Sequence, residues 1–506
     1  MRQDNQIIIT GLPPAQAIRI NRRLVFGVFF GVMAVGAAAA IYYAEAGLTL
    51  SHYDARAHLV VARRVIDSLT PGWRQLGAVW LPLPHLLNVL PVQLDWAYRT
   101  GAIAVFLSIL AMALGLSSLA ALLLRTTGSA AAALAGPALV LLNPNILYLT
   151  STPMTEPLLI GLALVAMNQV EKNTGCFFRP TGTEKTPGVF SRPGAALAAL
   201  VLTRYEGWCI AAALVAGAAW ARRRDGWRPI AAIATAPAVA IAGFLLHARI
   251  STGTWFVASG FFTADNPARS DLWLALDQVV TTTRTLGSDA LVAAAALGAA
   301  ACVTAAARRG SAALLPLALV AAAALPLAAF YEGHPLRVRY MVPLVVAAAV
   351  LGARGLAIVP RRGRGLAAAA LVAVVVWAQP PLAAVAPMVQ EAQWELPFQR
   401  ARDPVTRFLA GAYDRRPILV SMGSLAHYLQ ELSRIGIEIR DVVHEGNGDL
   451  WAAALDSPAR HVGWVLIEEH AEGGDMLAML AHEDPAMLDG FARVASGGGV
   501  VLYRRQ

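Results

Sequence analysis

Charge is scarce in this sequence. Only 14% of its 506 residues are Asp, Glu, Lys or Arg, against 57% hydrophobic. A soluble chain of this size has nowhere to hide so much apolar surface, which excludes the ordinary globular classes. Cysteine is nearly absent: Cys176, Cys209 and Cys302 are scattered and none lies beyond residue 385, so no disulfide framework is expected. The C-terminal region lacks a Gly-rich phosphate fingerprint, which argues against nucleotide binding there. There is no internal repeat, and no cleavable leader is read. The apolar run from Val25 to Tyr43 follows Arg19, Arg22 and Arg23 but is too long for a leader core, so it is expected to be a retained first span.

What is present is a series of apolar runs of about 20 residues, the length that crosses a bilayer as helix. The net charge of +9 would point to nucleic acid in a soluble protein. Here the basic residues cluster in short loops, so they report topology and no nucleic-acid partner is expected. Clusters recur at Arg19–Arg23, Arg125, Lys172–Arg192, Arg222–Arg228, Arg308–Arg309 and Arg361–Arg364. Placing all of them in the cytoplasm predicts eleven crossings, with the N-terminus inside and the C-terminus outside. The expected spans are 25–44, 97–123, 129–149, 154–170, 194–204, 207–221, 229–248, 286–306, 311–330, 340–358 and 365–384. Residues 194–221 are too few for two full crossings, so a short broken hairpin is expected, its turn "TRYEGW" (203–208) at membrane depth.

Beyond 385 the composition changes. Strand-like runs ("RPILVSMG", "HVGWVLIEEH", "GGVVLYRR") alternate with helix-like ones ("SLAHYLQELSRIG", "DLWAAALDS", "DMLAMLAHED"). The expected fold is an α-helical polytopic membrane domain, 1–384, followed by a small soluble α/β domain, 385–506. Outer loops are expected at 45–96 and 249–285.

The polar residues placed outside carry the chemistry. In "SHYDARAHLVVARRVID" (51–67), the spacing of Leu59, Ala62, Ile66 and Leu69 predicts an amphipathic helix along the outer interface, Tyr53 to Ser68. Asp54 and His58 share a face at its start, although Asp54 would also serve as a simple N-terminal helix charge. Glu156 lies in "STPMTEPLL", Arg204, Tyr205 and Glu206 in the hairpin turn, and His334, Arg337, Arg339 and Tyr340 in "EGHPLRVRYMVP". Ionisable groups beside apolar spans pair or line a functional cavity. The structural alternative is ion pairing: Arg204 with Glu206, Glu156 with Arg337, and Arg339 with Glu156 or Glu332. The loop 253–273 adds Trp255, Phe261, Phe262 and Trp273 with Asp265 and Asp271, suited to sugar stacking or to interfacial anchoring.

An outer-face carboxylate, several arginines and apolar walls together suit transfer of a sugar from a polyprenyl phosphate. The carboxylate takes the acceptor's proton, and arginines hold the phosphate. Four motifs, in order and on one side, carry a resemblance to the GT-C superfamily of integral membrane glycosyltransferases: "HYDARAHLVVARRV", "TEPLL", "LTRYEGW" and "RVRYMVPL". The sequence looks most like the family of bacterial aminoarabinose transferases and dolichyl-phosphate-mannose protein mannosyltransferases, over about residues 20–385. That resemblance implies a polyprenyl-phosphate-sugar donor and a glycan, lipid or protein acceptor. It also implies a site on the periplasmic face of a bacterial cytoplasmic membrane. Asp54 matches the catalytic acid of the first loop, with His52, Tyr53, Arg56 and His58 around it as substrate contacts. Arg204 and Glu206 match the hairpin motif, and Arg339–Tyr340 the late Arg-Tyr motif. Protein mannosyltransferases carry adjacent Asp-Glu where this chain has Asp54-Ala55, which weighs against a protein acceptor. No cofactor is expected. His52, Asp54 and His58 are the residues a divalent metal would use, though their spacing matches no recognised site. The other class is a polyprenyl-lipid transporter or a scaffold, which midplane charge or an inverted repeat would favour.

Overall fold

The computed structural model describes residues 22–174, 192–223, 227–257, 266–309, 311–471 and 473–506. Its first part is helical. Six helices among the described residues are long and apolar enough to cross a membrane: Arg22–Glu45, Ala102–Thr127, Arg228–Thr252, Asp289–Arg308, Ala313–Tyr331 and Val338–Gly355. A seventh counts if Ala130–Leu141 and Pro144–Thr150, bent by 73° at their junction, are one span. The chain is thus a polytopic helical membrane protein, but the eleven expected crossings, two of them a short broken hairpin, are not found among the described residues. Length is the reason. Arg192–Val201 has 10 residues, Glu206–Ala221 has 16 and Arg364–Ala378 has 15. At about 1.5 Å per residue none reaches the ~30 Å of a hydrocarbon core. Glu156–Thr174 has 19 residues but carries Glu156, Glu171 and Lys172. The break at Asn143 follows from its side chain, which accepts from the amides of Asn145 and Ile146 and starts a new helix at Pro144.

Small residues let the helices touch. A Cβ on Gly161 would lie 2.3 Å from the Ala111 carbonyl oxygen, and one on Gly298 would lie 1.8 Å from that of Leu351. Helix contact this close needs glycine, the way membrane helices pack when lipid offers no hydrophobic drive.

The tail forms a five-stranded sheet: β1 (Ile418–Val420), β2 (Val442–Val443), β3 (Trp464–Glu468), β4 (Phe491–Gly497) and β5 (Val500–Arg505). The order is β2-β1-β3-β5-β4, with β1 parallel to β2 and β3, and the last three strands antiparallel. Gly498 and Gly499, both with positive φ, make the two-residue β4–β5 turn. The two faces bury different layers. Leu419, Val465 and Ile467 meet Trp451, Ala454 and Leu477; Ile418, Val420, Trp464 and Leu466 meet Leu425 and Leu429. The second layer also takes Ala57, Leu59, Val60 and Ala62 from the helix Tyr53–Arg63. All six runs read as strand or helix fall on elements of that type, while β2 and β4 were not anticipated.

Candidate functional site

The helix Tyr53–Arg63 begins where His52, in an extended conformation, caps it: Nδ1 accepts the Asp54 amide at 3.1 Å. Asp54 then sits in the first turn, where the helix dipole favours a carboxylate. Arg63 closes the last turn and donates to Asp67 at 2.9 Å, to Asp95 at 2.8 Å and to the Val92 carbonyl at 3.1 Å. The expected amphipathic helix of Tyr53 to Ser68 is therefore shorter, and it does not lie along an interface. Every residue from Asp54 to Arg63 is buried. Ala55 packs into the bundle core, Leu59 and Val60 into the tail domain. Ile66 and Leu69, expected on the apolar face, are exposed. Periodicity registered the apolar residues but not the second body that covers the helix's other side.

Asp54 forms an ion pair with Arg339. Both side chains are buried. Burial pushes the Asp54 carboxyl up, but the Arg339 guanidinium outweighs it and holds the group down at about 2. Arg339 reaches this position from the short 3-10 turn Val338–Met341 that precedes Val342–Gly355. Its Nη1 also lies 3.4 Å from His52 Nε2, and that nitrogen lies 3.4 Å from Glu391 Oε1. Neither partner expected for Arg339, Glu156 or Glu332, forms its ion pair; the acid that does is Asp54.

A second buried network abuts the first. Arg204 binds Glu156 at 2.9 Å, Glu206 at 2.7 Å and the Thr155 hydroxyl at 3.0 Å. The expected Arg204–Glu206 pair is present, and the Glu156 ion pair is with Arg204 rather than with Arg337. Arg204 and Arg339 are close enough for each to feel the other's charge, and both act on His58. Burial first, against the pull of Asp54, depresses His58 to about 3, so its ring is neutral. It lies 3.0 Å from His85 Nε2 and against the Trp80 ring, 4.2 Å between centroids. Four buried polar atoms around these networks have no protein partner: Arg339 Nε, Glu156 Oε2, Glu391 Oε2 and His85 Nδ1.

The remaining expected residues lie at the edges or elsewhere. The Tyr53 ring stacks on His52 at 4.8 Å. Tyr340 lies 3.4 Å from His334, whose Nδ1 contacts the Pro335 carbonyl at 2.8 Å. Arg337 is half-buried, and its charge reaches Tyr53 and Glu391. Tyr205 donates to the Val79 carbonyl at 3.1 Å and joins an aromatic group with Trp208 and Phe256. Arg56 points away from Asp54: it donates to the Leu50 carbonyl and Gln399 and pairs with Glu431 of the tail, so it is not among the residues gathered around Asp54. Two residues along a helix face nearly opposite directions, and the tail supplies the carboxylate on that side. Asp271 is occupied as a helix cap, accepting from the Trp273 and Leu274 amides. Trp255 and Trp273 are exposed, and Phe261, Phe262 and Asp265 lie outside the described residues. Among the described residues no three His, Cys, Asp or Glu converge as metal ligands. For His52 and Asp54 the geometry gives a reason: both face Arg339.

Glu391 and His85 were missed. His85 stands in "WLPLPHLLNVLP" (80–91), whose aromatic and His content is a signal that could have found it; Glu391 had no signal, because it stands in a stretch that reads as the joint between span and tail domain.

No family model and no curated protein matches this chain. Among solved structures, the chain is similar to ArnT from Cupriavidus metallidurans. The crystal structure of ArnT bound to undecaprenyl phosphate shares 15% identity with a TM-score of 0.55, covering 94% of this chain and 98% of that one. The apo structure of the same protein shares 16% identity at the same TM-score of 0.55 and the same coverage. At such identity the likeness is one of fold, and it runs through both the helical bundle and the tail.

Proposed function

We propose that this chain is a GT-C-type membrane glycosyltransferase. It moves a sugar from a polyprenyl-phosphate donor to an acceptor hydroxyl, with Asp54 as general base. The observation that carries the reading is the buried ion pair of Asp54 with Arg339, where the helix Tyr53–Arg63 packs between the helical bundle and the tail. The bundle has the fold of a protein solved with undecaprenyl phosphate bound.

The chemistry follows from the pairing. While Arg339 holds Asp54, the carboxylate is a weak base, because removing its charge would strand the guanidinium. A lipid phosphate draws the guanidinium toward its own oxygens, since charge-assisted forked contacts suit phosphate as well as carboxylate. Asp54 then loses part of its compensation in a buried setting, its proton affinity rises, and it accepts the proton of the attacking hydroxyl. Arg339 and Arg204 stabilise the negative charge that the departing phosphate acquires. Glu156 and Glu206 keep Arg204 in place, and the unpartnered Glu156 Oε2 is positioned to accept a sugar hydroxyl.

In this reading residues 1–384 form the transferase domain and 385–506 an extracytoplasmic domain. The N-terminus faces the cytoplasm, and the site faces the periplasm of a bacterial inner membrane. The test is Asp54→Asn in purified protein given a polyprenyl-phosphate sugar. Turnover per folded molecule should fall about 100-fold or more. Native turnover by that variant would remove Asp54 from the mechanism.

A further inference from the structure

We infer that Glu391, a residue of the tail, is a positioning residue that orients Asp54 through His52. This rests on the proposed role of Asp54. The geometry determines a proton's location. His52 Nδ1 accepts the Asp54 amide at 3.1 Å, so Nδ1 carries no proton. In the neutral ring the proton is then on Nε2. Of the two groups 3.4 Å from Nε2, Arg339 Nη1 has only hydrogens to offer and Glu391 Oε1 can accept. Glu391 therefore selects the tautomer that lets His52 cap the helix at Asp54, as a carboxylate behind a histidine selects the tautomer of a metal ligand.

Glu391 is itself well held. It ends the short helix Pro387–Glu391, whose Met388 and Val389 are buried in the bundle core. The Met388 amide donates to Asn145 Oδ1 at 3.0 Å, and Asn145 Nδ2 donates to the Leu286 carbonyl at 3.1 Å. Burial pushes Glu391 up, but His52 and Arg339 together hold it below the usual range, so it is an acceptor at neutral pH. The first helix of the tail is thus clamped to the bundle and delivers one oxygen to His52.

The experiment uses the full chain in lipid bilayers with isotope-labelled histidine nitrogens. The His52 signals are assigned by their loss in His52→Asn. The native protein should show the Nε2–H tautomer. Glu391→Ala should shift His52 toward the other tautomer, whereas Glu391→Gln, which still offers an acceptor oxygen, should keep the native one. In turnover assays with a polyprenyl-phosphate sugar, Glu391→Ala should lose about 10- to 100-fold in kcat with KM changed less than about twofold. Glu391→Gln should recover most of the loss. In an Asp54→Asn background Glu391→Ala should add nothing, because its effect runs through Asp54. A native Nδ1–H tautomer, or a full additional loss in the Asp54→Asn background, would overturn the inference. If the tautomers are as expected but Asp54→Asn transfers sugar at the native rate, the proposed base fails and the catalytic part of this inference with it.

Discussion

The helix Glu156–Thr174 carries a buried glutamate near each end, about 22 Å apart at helical rise, and the two ends are built differently. At the far end Glu171 meets Arg125 at 2.7 Å, and Arg125 also binds Asn168 at 2.5 Å. One cation, one carboxylate and one amide tie this helix to Ala102–Thr127. At the near end Glu156 shares Arg204 with Glu206, beside a second cation, Arg339, that holds Asp54. The far end leaves two nitrogens, Arg125 Nη1 and Asn173 Nδ2, without a protein partner; the near end leaves Arg339 Nε, Glu156 Oε2, Glu391 Oε2 and His85 Nδ1. Buried polar groups are nearly always satisfied, and under the proposed function the unpartnered atoms at the near end are those a bound substrate would meet. The same pair chemistry fastens helices at one end and, in the reading proposed above, stands ready for a substrate at the other.

The comparison breaks most visibly at Arg125. Arg125→Ala strands Glu171 in the bundle and should cost about 3–5 kcal/mol of stability. The molecules that remain folded should transfer sugar at the native rate, measured as turnover against the folded fraction. A selective loss of turnover would mean that the far end is also part of the site. Next in size is Arg339→Ala, with a loss of about 2–4 kcal/mol in transition-state stabilisation. Arg339→Lys should be impaired but less so, since it keeps the charge and loses the fork. If Arg339→Ala melts early yet transfers normally when folded, the two ends are alike and both are structural.

The effect of pH sharpens the contrast at smaller scale. Asp54 has a folded value near 2, below its ordinary 3.8, so it contributes stability above about pH 4 that is lost as pH falls through the folded value. Thermal unfolding followed from about pH 5 downward should show this loss. Asp54→Asn should show less of it, because the amide does not titrate. Equal acid sensitivity in the two proteins would mean that Asp54 is not held down by Arg339.

Some of the near end was legible in sequence. Arg204 and Glu206 stand two apart in a turn too short to span, and an ion pair between such neighbours needs no tertiary information. Asp54 was legible because charge follows directly on an apolar run. The partner of Arg339 was not, because Asp54, Glu156 and Glu332 were all expected at the same membrane face and only packing decided among them. Glu391 left no trace, since a single acid at a domain joint has no pattern. The span count failed for a related reason. Hydropathy marks apolar residues, but it does not fix where a helix ends: the run 365–384 forms a helix only over Arg364–Ala378, too short to reach across a bilayer on its own.

By itself the sequence determined the solvent: so little charge in so many residues requires a membrane, and the same scarcity makes each buried charge conspicuous. It also determined the tail's class, because alternating strand and helix runs are local. Only the tertiary structure decided which charges meet. Coulomb energy in a buried setting depends on separations of a few ångströms, and those are set by packing between distant parts of the chain, which puts Arg339 against Asp54, Arg204 against Glu156 and Glu391 against His52.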